Sequence, residues 1–200
     1  MKRKHKFYVI AVIMTIVYSI STGSIFAATP RLGGRYSSGV GNITIFINYN
    51  SGAGYWESFI KNAANNWMYT GKGDNPIYIS FVSSNYGSSM DIYSKRDSYW
   101  TSQGSFGVLA ETLFYNSSSK KMQPNAGNWL YTEIYINDDN YKKSSFSNDQ
   151  ALGTLIHEMG HAFGLAHYNS NPNSIMCQTK KGRKVQRVPK TDNDTINAIY

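Results

Sequence analysis

Two hydrophobic rhythms run through the chain from residue 43 onward. Apolar and polar residues alternate with a period of two in ITIFINY (43–49), and IYISFV (77–82), SMDIYS (89–94), GVLAETLFY (107–115) and WLYTEIYIN (129–137) are further strand-like runs. A helical rhythm spans 55–69, where Trp56, Phe59, Ile60, Ala63, Ala64 and Trp67 fall on one face and Gly71 offers a stop. The second helical stretch carries Leu152, Leu155, Ile156, Met159 and Phe163 as its buried stripe. Ser147 and Gln150 stand at capping-box spacing before it, so its start is well marked. RLGGRYSSGVGN (31–42) reads as a loop and NDDNYKKSS (137–145) as a polar connection. With no internal repeat and no low-complexity linker, residues 28–200 are expected to form a single domain.

The first 27 residues change that picture at one end. Lys2, Arg3, Lys4 and Lys6 precede an apolar run from Phe7 to Ile20 and a small-residue stretch to Ala28, the layout of an export signal cleaved after Ala27. An uncleaved anchor is the alternative, but the run is shorter than the roughly 20 residues that span a bilayer. The whole chain has 20 basic and 12 acidic residues; losing the signal removes four basic ones, and the net charge drops from +8 to +4. The remaining excess is local: Lys180, Lys181, Arg183, Lys184, Arg187 and Lys190 lie within KKGRKVQRVPK. That run reads either as a solvated loop or as a surface for anionic substrates. Cys177 is the only cysteine, so no disulfide forms within the chain; it reads as a small buried hydrophobe, with a stray thiol as the alternative. A secreted chain without disulfides is the expectation for a bacterial protein.

The chemistry is concentrated in HEMGHAFGLAH (157–167), which holds every histidine of the chain except His5. His157 and His161 are four apart on the second helix and project from one face, about one turn apart. Each can give a nitrogen to one zinc ion at roughly 2.0–2.1 Å. Gly164 can adopt positive φ, turn the chain sharply, and bring His167 back as third ligand. Glu158 is then free to work on a water in the open fourth position. The bland alternative, two core histidines and a surface one, must explain Gly and His at these added spacings by chance.

HEMGHAFGLAH resembles the extended zinc-binding motif of the metzincin metallopeptidases, and the rest of the chain is most similar to their matrixin branch. The resemblance implies an α+β, zincin-like fold: a twisted mixed five-stranded sheet with an antiparallel edge strand, an active-site helix, a helix packed on the sheet and a C-terminal helix. It makes Met176, in NSIMCQ, the hydrophobic floor beneath the imidazoles; by itself Met176 reads equally as a loop or core residue. It assigns VPKTDNDTINAIY (188–200) to the closing helix, with Asp192 and Asp194 near its positive N-terminus. It makes GVLAET the strand beside the cleft, where Leu109 and Ala110 would pair their backbone with an extended substrate. Matrixins usually place a structural-zinc histidine where this chain has Glu111, Ser or Thr where it has Tyr168, and Tyr-Pro where it has Cys177 and Gln178. For calcium, Asp138, Asp139 and Asp91 are loose candidates, with solvated loop carboxylates as the alternative. Only about 15 residues lie between the signal and the first strand, so a propeptide with a cysteine switch is not expected.

The expected function is a secreted zinc endopeptidase: a zinc-bound water attacks the peptide bond, with Glu158 as general base and then acid. An extended polypeptide is the expected partner, and neither nucleic acid nor a stable membrane insertion; a monomer is expected. The basic wall after Ile175 implies a bias toward acidic or polar residues after the scissile bond. A hydrolase of cell-wall peptides or amides, or a non-catalytic secreted binding module, are the other readings. For the last, sixteen tyrosines offer a sugar-binding surface or half-buried strand residues.

Overall fold

The structure, a computed structural model, describes residues 28–143 and 145–200. The expected export signal, with cleavage expected after Ala27, lies outside these residues. Six strands form one sheet: β1 (Ile43–Ile47), β2 (Ile79–Val82), β3 (Met90–Lys95), β4 (Ala110–Tyr115), β5 (Lys121–Met122) and β6 (Tyr131–Asn137), ordered β2-β1-β3-β6-β4-β5. β1, β2, β3 and β6 run parallel, and β4 lies antiparallel against β6. This is the expected mixed α+β sheet with its antiparallel strand. The sixth strand, β5, is two residues long and pairs only with Phe114 and Tyr115, too short to leave a periodic trace.

The helices are α1 (Glu57–Met68), α2 (Asp97–Ser102), α3 (Asp138–Tyr141), α4 (Asn148–Ala162) and α5 (Lys190–Ile199). α1 and α4 pack on each other over the apolar sheet face, where Ile45, Ile92 and Ile134 are fully buried. Trp67 of α1 donates its indole N–H to the Ile156 carbonyl at 2.9 Å, and Trp129 donates to the Ala162 carbonyl at 3.0 Å. Two buried indoles thus fix α4 in place while satisfying their own polar atoms. The capping box is present: Ser147 accepts from Gln150 N, and Gln150 accepts from Ser147 N.

Two stretches differ from the sequence reading. The polar connection after β6 contains α3, because the Asn137 side chain accepts from Asn140 N and Tyr141 buries itself against Trp56 and Phe146. The loop at 31–42 makes two isolated bridges, Arg31 with Leu165 and Tyr36 with Trp129, single pairings that no period reveals. On the far sheet face Tyr115, Tyr131 and Tyr135 are half-buried and all donate their hydroxyls to Glu133 at 2.6, 3.0 and 2.8 Å.

Candidate active site

α4 presents His157 and His161, and the chain reverses immediately after it. Gly164 has φ +99°, and its N–H donates to the His161 carbonyl while Leu165 N donates to the Gly160 carbonyl. This paired closure is a Schellman turn, which needs a left-handed residue at Gly164. The returning strand is held from outside: Leu32 N donates to the Gly164 carbonyl and Ala166 N to the Pro30 carbonyl, both at 2.8 Å. His167 is thereby brought back to the other two. His161 Nε2 lies 3.1 Å from both His157 Nε2 and His167 Nε2.

The tautomers follow from the partners. His157 Nδ1 faces the Ile175 carbonyl and His161 Nδ1 the Leu165 carbonyl, each at 2.8 Å. Carbonyls only accept, so both Nδ1 atoms carry the hydrogen and both Nε2 atoms are bare lone pairs. Burial pushes His161 down to about 4 and His157 well below the usual imidazole range, and it lowers His167 as well. Uncharged rings whose lone pairs meet head-on repel one another unless a cation sits between them. A tetrahedral zinc at ordinary Zn–N lengths would separate its nitrogens by roughly 3.3 Å. The donor set, spacing and carbonyl-anchored far nitrogens therefore fit such an ion. Among the described residues these three histidines are the group of potential ligands close enough to share one metal. The calcium candidates point elsewhere: Asp138 accepts from the Trp56 indole and pairs with Lys142, Asp139 pairs with Arg96, and Asp91 accepts from Ser88 and Tyr93.

Met176 is fully buried. A Cβ on Gly160 would come 2.5 Å from the Met176 sulfur, so Gly160 is what lets the thioether pack against the helix. The Met176 segment is hooked in place by Asp192 of α5, which accepts from Ser174 Oγ at 2.8 Å and Ile175 N at 2.7 Å, and also from Thr29. Through Ile175 this hook reaches His157.

Glu158 is buried, and the Thr112 hydroxyl of β4 lies 2.8 Å from its carboxylate. Burial pushes the carboxyl up to about 7, against the pull of the Thr112 hydrogen bond; the nearby Glu111 adds to the rise. The histidines and Glu158 line a cleft of about 700 Å³, whose other wall includes Leu109 and Ala110. Because the Leu109 carbonyl is taken by Asn137 N, alternation turns the peptide groups of Ala110 and Thr112 to the open side. β5 reaches only Phe114 and Tyr115, so this edge is unpaired among the described residues. The sequence reading missed Thr112, Gly160 and the burial of Arg183. A small polar residue facing inward on β4 and a glycine amid a buried helix were the available signals.

A sequence profile of the matrixin family matches residues 64–200. The hatching-enzyme zinc protease of medaka (Oryzias latipes), high choriolytic enzyme 1, is similar in structure over 83% of this chain and 92% of its own, with 17% identity and a TM-score of 0.44. No curated protein sequence matches the chain.

Proposed function

Because this chain belongs to the matrixin family of zinc metalloendopeptidases, we propose that it is exported and cuts extended polypeptides, with His157, His161 and His167 holding one zinc ion and Glu158 carrying the proton. The observation that carries this reading is the meeting of three imidazole nitrogens beside a buried carboxyl, in a cleft walled by an open strand edge. Bound there, zinc would supply Lewis acidity, polarising the scissile carbonyl and bringing a water's pKa toward roughly 7. Glu158 takes the proton of the attacking water and returns it to the leaving amine. A buried carboxyl held by the Thr112 hydroxyl is positioned for both halves of that task. Ala110 and Thr112 lend their outward peptide groups to a substrate strand, while Leu109 lines the wall. Met176 packs under the rings and is not a ligand. The charged start and apolar run of residues 1–27 support export. Among the described residues no helix is long and apolar enough to cross a membrane.

Glu158→Gln tests the assignment directly. The variant should bind zinc as the parent does and lose nearly all casein hydrolysis, while parent activity should vanish with chelator and return with zinc. Parent-rate digestion by the variant would refute the role of Glu158. Clearing of purified cell walls with casein left intact would favour the wall-peptide hydrolase instead.

A further inference from the structure

Five of the six basic residues between positions 180 and 190 are exposed; Arg183 is only 8% exposed. It lines the same cleft as His157 and Glu158. Among the described residues no carboxylate lies within ion-pair distance of it, and its Nε has no hydrogen-bond partner. Its other contacts are long, 3.5 Å to the Cys177 carbonyl and 3.3 Å to Thr154 Oγ1. A guanidinium held out of water is costly without a close anion, and Glu158 acts on Arg183 only at a distance, with no ion pair between them. The Tyr141 hydroxyl, also buried without a partner, lies within electrostatic reach of Arg183 and Glu158.

The helix makes room for this arginine. A Cβ at Gly153 would collide with the Gln186 side chain and come 3.1 Å from an Arg183 terminal nitrogen. Thr154, which Arg183 contacts, is one turn before Glu158 on α4 and lines the same cleft. The leaving amine must sit next to Glu158, because Glu158 protonates it. A side chain on the residue that owns that amine then enters the cleft that Thr154 and Arg183 also line.

We propose that Arg183 is the specificity-determining residue of the cleft, receiving the side-chain carboxylate of an acidic residue immediately after the scissile bond. The planar fork of a guanidinium matches a carboxylate with two parallel hydrogen bonds. This inference rests on the endopeptidase reading and sharpens its substrate class to acidic peptides.

The test uses zinc-loaded protein and quenched fluorescent peptides that differ only in carrying Glu, Gln, Leu or Lys after the scissile bond. The parent should cleave the Glu peptide with a kcat/KM about tenfold or more above its uncharged Gln isostere, and the Lys peptide worst. In Arg183→Gln the Glu-to-Gln ratio should fall to near one, and Arg183→Glu should turn the preference toward Lys. Lys184→Gln, an exposed neighbour, should keep the parent ratio. Fluorescence anisotropy in the Glu158→Gln background reads binding without turnover, and the Glu peptide should bind tighter by a similar factor only while Arg183 is present. A parent with no preference for Glu over Gln would overturn the inference. So would an Arg183→Gln variant that slows all four peptides equally, the signature of an arginine serving the fold or Glu158. If nothing is cleaved, the endopeptidase reading falls; the binding arm then upholds or sinks Arg183 alone.

Discussion

At Thr112 one hydroxyl faces two acceptors, the Glu158 carboxylate at 2.8 Å and the Glu158 main-chain carbonyl at 2.9 Å. It has one proton to give, and that suffices for both states of Glu158. While Glu158 is ionised, Thr112 can donate to the carboxylate. Once Glu158 holds a proton, Thr112 can turn its own hydrogen to the carbonyl and accept from the carboxyl. The side chain is thus held in place through a full cycle of proton uptake and release. Thr112→Val keeps the shape and removes the hydroxyl. We expect kcat to fall about tenfold, the worth of one charge-assisted hydrogen bond, with zinc content unchanged and Thr112→Ser close to the parent. Equal kcat in the parent and the valine variant would show that the hydroxyl has no such role. The sequence could not announce this residue, because its partner is 46 positions away and a threonine in a strand is ordinary.

Among the elements, α4 and the turn that follows it bear most directly on the site. A residue with a Cβ at φ +99° is strained, so Gly164→Ala should cost about 1–2 kcal/mol or more in urea unfolding. It should also weaken zinc binding, read by competition with a chromophoric chelator, because the turn that misfits is the one that returns His167. An alanine variant with parent stability and zinc affinity would show that the turn has other ways to close. This part of the molecule was legible in advance. A long apolar stripe, a capping box and a glycine at the right spacing all agreed on one helix end, and consistency across such signals is what makes a reading secure. α2, α3 and β5 were not legible, since 6, 4 and 2 residues carry too little of any period. The basic run divides: its lysines and Arg187 are exposed, as a solvated loop requires, while Arg183 is buried. Nothing local separates these, because the space for Arg183 is made by Gly153, thirty positions earlier.

Over the whole molecule, the histidine cluster is where distant parts of the chain meet. Residues 30–32 hold the strand before His167, α4 carries the other two rings, and α5 reaches them through Asp192 and Ile175. Loss of the metal should therefore be felt as loss of global stability, and acid should deepen it. His161 falls from 6.5 to about 4 on folding. Its contribution is fully present above the unfolded value and is lost as the pH drops through the window between the two. His157 and His167 shift the same way. Glu158 opposes them: raised from 4.5 to about 7, it favours the fold in acid and loses that contribution as the pH rises through 7. Glu158→Gln removes that opposing group, so that of the acids raised by burial only Asp91, Glu111 and Asp192 still work against the imidazoles. For metal-free Glu158→Gln, the urea-unfolding free energy should then fall by about 2 kcal/mol between pH of about 7.5 and pH of about 5 from His161 alone, with the other two rings adding to the loss. Zinc should restore stability at neutral pH by an amount that grows with the logarithm of its free concentration. If the three rings were instead solvated and independent, the metal-free profile would be flat across this range and zinc would not move it.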